Sequence, residues 1–341
     1  MPQLPAPARR PLLACAVLAC AALPARAADI TLNETGSTLL YPLLQTWVAA
    51  YAGAHPGVRI ATAATGSEAG LREAIAGTVQ LGTSDAFMSD AELRQHPDML
   101  NIPLAISALS VSYNLPGWQG PALRLDGPAL AGIYRGTIRT WDAPALAALN
   151  PGTALPHQPI VPIRRADGSG DTFVFTQFLS FSTPSWEDRE GYGTGIAWPA
   201  VPGGIAAPGN DGVVAKLLAT PYAIAYVGLS YADRLGTGAI GTAALRNSDG
   251  AFVLPTREGV QEAAATLGPR TPPDERLSLA FAPGAGAYPL VNYEYAIVAR
   301  TQKDAATAAA LRRFLLWCIE PSEDRAAMLD SVHFIPLAPH T

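Results

Sequence analysis

Apolar positions along this chain repeat with two periods, and the two periods alternate. Residues 30–32 form a short apolar run that ends in Thr35-Gly36-Ser37-Thr38. Leu39, Leu40, Leu43, Leu44, Trp47 and Val48 then recur at helical spacing and predict a helix over 39–51. Residues 58–62 alternate as a strand, 68–76 read as a helix, and 79–82 as a short strand ending in Thr83-Ser84-Asp85. A longer strand is expected over 106–113. Helices follow at 128–134 and 143–149, then a strand at 159–163, helices at 172–180 and 212–219, and a strand at 223–227. A late strand at 293–298 precedes a strongly periodic helix at 305–319. Strand–helix alternation of this kind predicts an α/β architecture. There is no internal repeat and no clean linker.

The first residues do not fit that alternation. Arg9 and Arg10 precede an apolar run over 11–23 that is too short to span a bilayer, and Ala25-Arg26-Ala27 has the small residues of a signal-peptidase site. Residues 1–27 are expected to be a signal peptide cleaved after Ala27, which places the mature chain in the periplasm. Lipidation at Cys20 is the lesser alternative, because Leu18 in Val17-Leu18-Ala19 makes an imperfect lipobox. Loss of Arg9, Arg10 and Arg26, with no acids, moves the net charge from −5 to −8. A chain this acidic is a poor nucleic-acid binder, and any anion must be held by a few local donors. Outside the leader only Cys318 remains, so no intrachain disulfide is expected, and its apolar neighbours predict a buried thiol. The length of 341 residues suggests two domains.

Three strand-to-helix turns share one chemistry: Gly36-Ser37-Thr38, Gly66-Ser67 and Gly168-Ser169-Gly170. Glycine lets a ligand approach the backbone closely, and a helix start offers unpaired N–H groups and partial positive charge to an anion. Each turn alone is an ordinary N-cap. Arg165 and Asp167 before the third turn sharpen the pattern, because a guanidinium matches a tetrahedral oxyanion and a carboxylate can hold it in one rotamer. Arg164 is expected to face the other way. Asp85 discriminates among oxyanions. An ionised Asp accepts the proton of hydrogen phosphate and repels sulfate or molybdate, which carry none.

These segments, with Ser89-Asp90, Trp141-Asp142, Leu149-Asn150-Pro151-Gly152, Gly209-Asn210-Asp211-Gly212 and Ile224-Ala225-Tyr226-Val227, make the chain resemble the periplasmic phosphate-binding subunit of the phosphate ABC transporter, the PstS type. The resemblance covers essentially the whole mature chain. It implies a two-domain periplasmic binding protein (a Venus flytrap, type II-like) with a mixed sheet in each domain and a two-strand hinge near 107–112 and 289–293. Domain one would comprise residues 28–109 and 291–341, and domain two residues 110–290.

The resemblance further implies that Thr38, Leu39, Ser67, Asp85, Arg165, Ser169, Gly170 and Asp171 contact phosphate, with Asp167 orienting Arg165. Two positions depart from the family pattern. Leu39 stands where an aromatic is frequent. Asp171 stands where Thr is frequent, so its N–H is expected to bind while its side chain turns to Arg165 or solvent, and Thr172 is the substitute hydroxyl.

The implied partners are inorganic phosphate and membrane permease subunits, with no cofactor, no metal and a monomeric chain. Alternatives are a receptor for another oxyanion such as arsenate, or a phosphatase-like hydrolase using Ser67 or Ser169. Against an enzyme, no His lies near either serine in sequence: the His residues are His55, His96, His157, His333 and His340. Trp47 and Trp317 sit on apolar helical faces and are read as core.

Overall fold

The computed structural model describes residues 1–2, 30–236 and 240–338. Apart from its first two residues, the expected signal peptide, with its cleavage point after Ala27 and Cys20, lies outside them. Among the described residues no helix is long and apolar enough to cross a membrane.

The strands are β1 (Ile30–Gly36), β2 (Val58–Ala61), β3 (Leu81–Ser84), β4 (Met99–Asn114), β5 (Arg124–Leu125), β6 (Val161–Arg165), β7 (Ile205–Ala207), β8 (Ala223–Gly228), β9 (Ile240–Thr242), β10 (Ala244–Arg246), β11 (Phe252–Val253) and β12 (Val291–Ala299). Nine of them form one mixed sheet in the order β2-β1-β3-β12-β4-β8-β6-β7, with β9 also on β4. A small second sheet runs β11-β10-β5. At one end of the large sheet β1 lies parallel to β2 and β3, while β12 runs antiparallel to β3 and β4. At the other end β6 lies parallel to β7 and β8, and β8 antiparallel to β4.

Strand β4 joins the two halves. Its 16 residues change partner midway: Ala108 is the last to pair with β12, and Leu109 the first to pair with β8. The chain returns alongside, since the Leu109 N–H donates to Leu290 O (2.9 Å) just before β12 starts. From Pro103 to Asn114 every residue of β4 is buried, so period-two alternation is lost there. The register between β12 and β4 slips between Glu294 and Tyr295, opposite Pro103. A proline cannot donate to the ladder, and such an irregularity accommodates it and re-aims the adjacent side chains.

Helices cover the sheet through their apolar stripes. Helix Tyr41–Ala54 buries Leu43, Leu44, Trp47 and Tyr51, one or two turns apart. Helix Ala305–Ile319, capped by Asp304 on the Thr307 N–H (2.7 Å), buries Leu311, Phe314, Leu315 and Cys318. The two meet where Tyr51 packs edge-on to Phe314 at 5.1 Å. A smaller core under β6–β8 holds Ile163, Val213, Leu217, Ala225 and Val227.

Most expected elements are present with shifted ends. Strand β3 starts at Leu81 rather than 79 and runs on through Ser84, because it is clamped between β1 and β12 and pairs whatever its side chains prefer. Strand β4 starts seven residues earlier than its apolar run suggested. Helix Gly170–Ser182 starts two residues early and helix Gly209–Ala219 three, both at glycines that propensity alone disfavours. Helices Arg257–Leu267 and Glu323–Asp330 escaped the sequence reading; the second buries only Leu329, and the first buries a face of small residues, Gly259, Val260, Ala263 and Ala264, that carries little apolar signal.

Candidate functional site

Each of the three Gly-Ser turns sits at the carboxyl end of a strand and opens a helix or turn toward one point between the two halves of the sheet. After β1, Gly36 holds φ 148° against Thr83, where a Cβ would collide with the Thr83 backbone. Ser37 Oγ donates to Asp85 Oδ1 and accepts from the Leu40 N–H (3.0 Å). After β2, Gly66 holds φ 97°, and its helix starts at Ser67, whose Oγ accepts from the Asp85 N–H (3.2 Å). After β6, Ser169 caps helix Gly170–Ser182 on the Thr172 N–H (3.4 Å). The N–H groups of Gly170 and Asp171 open that helix, so they have no acceptor within it. N–H groups without an intrahelical acceptor at the carboxyl ends of strands suit an anion.

Arg165 is the last residue of β6 and is 2% exposed. Its N–H donates to the Tyr226 hydroxyl (3.0 Å), and Tyr226 stacks on Phe175 at 4.5 Å, which fixes the strand end. The guanidinium forks onto Asp167 through Nε (2.9 Å to Oδ1) and Nη2, while Nη1 bonds Asp171 Oδ2. Burial opposes the charge on Arg165, but the Asp171 and Asp167 carboxylates outweigh it and hold the guanidinium charged. Burial likewise pushes Asp167 up, and the hydrogen bonds and charge of Arg165 reverse this and leave it below the usual carboxylate range. Asp171 is pushed up to about 7, chiefly by burial, with Arg165 opposing and Asp85 adding to the rise. Arg164 faces the other way, over the Trp198 ring at 6.0 Å.

The structure brings Thr38, Leu39, Ser67, Asp85, Arg165, Ser169, Gly170 and Asp171 to this one place, from both ends of the sheet. Thr38 Oγ1 accepts from Asn210 N (3.3 Å) and Nδ2 (3.0 Å), and Leu39 O accepts from Ser230 Oγ (2.8 Å). The Glu68 N–H donates to Gly168 O (3.2 Å), so two of the Gly-Ser turns touch. Asp171 turns its side chain onto Arg165, one of the two orientations expected. Thr172 directs its hydroxyl at Tyr226 (2.8 Å). In that position it braces the tyrosine that holds the Arg165 backbone.

Two buried residues were given no site role by the sequence reading. Asn210 bridges Thr38 to Asp171 Oδ2 (2.7 Å) and donates no chemistry that a lone Asn in a Gly-rich turn would announce. Glu294 of β12 is fully buried and reaches Asp85, and it lies in an apolar run that reads as pure core. Glu34 also carries a buried carboxyl, accepting from Thr83 Oγ1 (2.6 Å), and Thr83 Oγ1 accepts from the Ser37 N–H (3.0 Å). Among the described residues no cluster of His, Cys, Asp and Glu is arranged to hold a metal ion.

A family model described as the PBP superfamily domain matches residues 23–322. The phosphate-binding protein PstS of Xylella fastidiosa is 32% identical over 312 residues, covering 92% of this chain and 83% of the relative. This chain belongs to the PstS family. The PstS of Methanocaldococcus jannaschii is 31% identical over 308 residues, covering 85% of this chain and 78% of its own. Among solved structures, the high affinity periplasmic phosphate-binding protein PfluDING superposes with a TM-score of 0.71 at 22% identity, over 90% of this chain and 91% of the other. A phosphate binding protein from Stenotrophomonas maltophilia gives 0.69 at 20% identity, over 92% and 91%. The fold of this PstS family member is therefore the two-domain one of periplasmic binding proteins, with β4 common to both mixed halves.

Proposed function

We propose that this protein binds inorganic phosphate between its two domains and delivers it to the permease subunits of a phosphate ABC transporter. The observation that carries this reading is the convergence on Asp85 of Arg165 and three Gly-Ser turns, drawn from both ends of the sheet. Family membership supports it, since the relatives named above are phosphate-binding proteins. Thr38 and Ser67 supply hydroxyls, and the N–H groups of Leu39, Gly170 and Asp171 supply donors of fixed direction. Arg165 provides the compensating charge, and Asp85 the acceptor that admits a protonated oxyanion and rejects sulfate. Donors that are already placed and dry cost little to reorganise on binding.

The division into residues 28–109 with 291–341 and residues 110–290 belongs to the same reading, as do secretion into the periplasm and a monomeric state. The change of partner on β4 at Leu109 supports the first boundary, and the contact of Leu109 with Leu290 the second. A hydrolase reading is disfavoured by the histidines. His55 stacks on Tyr51, His157 pairs with Asp142 and His333 with Asp233, and none of these partners is Ser67 or Ser169.

The test is calorimetric titration of the chain, freed of anion by unfolding and refolding, against phosphate and sulfate. Phosphate binding that is lost in Arg165→Ala, with no sulfate signal, is expected. No phosphate binding at any pH overturns the reading.

A further inference from the structure

The site contains more carboxyl than its cation can neutralise. Among the described residues the buried charged side chains are Glu34, Asp85, Asp171 and Glu294 against one base, Arg165. Asp167 adds a half-buried carboxylate on the same guanidinium. Ordinary anion capture wants the opposite balance, so the excess requires a physical account.

Glu294 is the informative member. It projects from β12 beside the register slip opposite β4, which turns an otherwise core strand position toward Asp85. Its Oε1 accepts from Ser107 Oγ (2.6 Å) and Asn292 Nδ2 (2.9 Å). Its Oε2 is buried with no donor on it, although the Asp85 and Glu294 carboxyls are within hydrogen-bonding reach of each other. Two carboxylates cannot bond each other without a proton between them, and in a dry site mutual repulsion keeps one proton on the pair. Asp171 Oδ1 is likewise buried without a donor.

We propose that Glu294 is a specificity-determining positioning residue, which retains a proton on the Asp85–Glu294 pair so that the site takes its oxyanion as the monoanion, dihydrogen phosphate, in preference to the dianion. This rests on the phosphate reading above. The monoanion adds one negative charge to the carboxyls around Arg165 and brings protons to carboxyl oxygens that lack donors. The dianion adds two charges and brings fewer protons.

Among the described residues, the groups facing the pair leave no other cation to change this balance. Arg165 and Asp167 approach from the end of β6, and Asp171 from the helix that follows. Tyr226 of β8 and Tyr231 beyond it face Asp171 and Arg165, and burial holds both phenols neutral. Glu34 of β1 lies behind Thr83, and Glu68 stands at the rim against Gly168. Burial, with the facing Glu294, also pushes Asp85 well above the usual carboxylate range, and burial raises Glu294.

The experiment is titration of the full chain with inorganic phosphate from about pH 6 to about pH 9, in pairs of buffers of different ionisation enthalpy so that protons are counted. As pH rises the pair ionises and affinity falls. The slope is expected to be steeper than in Glu294→Gln by about tenfold in Kd per pH unit, with about one more proton taken up. Equal slopes and equal proton counts, with both proteins binding phosphate, overturn this inference and leave the phosphate reading standing. No phosphate binding by the unmodified protein at any pH overturns the phosphate reading itself. If the variant does not fold, the proton count on the unmodified protein decides. Above about pH 8, where free phosphate is dianionic, uptake of about one proton or more is expected, and none overturns the inference.

Discussion

Asp171 pairs with Arg165 through Oδ2 and Nη1, and each side chain is only 1% exposed. A carboxylate that looked adverse to anion binding is thereby turned onto the neighbouring cation. Its second oxygen, however, stays buried without a donor. Removing the guanidinium alone would strand two carboxyls, Asp171 and Asp167. Arg165→Met is therefore expected to lower unfolding free energy by about 3–5 kcal/mol. The double variant with Asp171→Asn should recover part of that loss. Urea denaturation of both variants measures it, and equal losses would refute the pairing as a stability element.

Asn210 ties the halves together by donating from N and Nδ2 to Thr38 Oγ1 and from Nδ2 to Asp171. Asn210→Ala removes the side-chain bonds and leaves their acceptors buried. At about 1–2 kcal/mol for such bonds, phosphate Kd is expected to rise by roughly tenfold. Small-angle scattering of the anion-free variant should show a larger radius of gyration. An unchanged Kd would mean that the bridge contributes nothing to closure.

Gly66 combines φ 97° with close approach: a Cβ there would lie 2.8 Å from Asp167 Oδ2 and 2.8 Å from Gly168 O. Those atoms belong to the opposite half. Gly66→Ala should therefore obstruct closure as well as strain the turn, the latter by about 1–2 kcal/mol. The expected result is a phosphate affinity reduced by more than the shift in melting temperature explains. A purely local effect would lower the melting temperature and spare affinity.

Glu34 is pushed up to about 8, first by burial and then partly held back by Thr83 and Ala63. Its folded-state value lies above the unfolded one, so the folded chain binds more protons between them. Its stabilising contribution is complete below about pH 4.5 and falls as pH rises toward about 8, by on the order of a few kcal/mol. Glu34→Gln should flatten the pH dependence of unfolding free energy over that window. Parallel curves for the two proteins would show that Glu34 does not titrate there.

The pattern of apolar positions was sufficient for the helices that bury a continuous stripe. Helix Ala305–Ile319 was legible to its ends because Asp304 caps it and its core face is unbroken. It was insufficient where pairing overrides preference, as in β3 and the first seven residues of β4. Small elements such as β5, β9, β10 and β11, two or three residues each, carry no period to detect.

The site divides in the same way. Gly36, Gly66, Gly168, Ser169 and Arg165 announce themselves locally, because a tight turn at a helix start requires those residue types in one short stretch. Glu294 and Asn210 do not, since a carboxyl in a buried strand and an amide in a turn acquire their role only from what lies opposite. The sequence by itself determined the alternating architecture, the three Gly-Ser turns and the family. Only the tertiary structure decided that β4 serves both halves, that Asp171 rests on Arg165, and that Glu294 meets Asp85. Periodicity records which face of an element is buried, whereas encounters between residues far apart in the chain are set by sheet order and register.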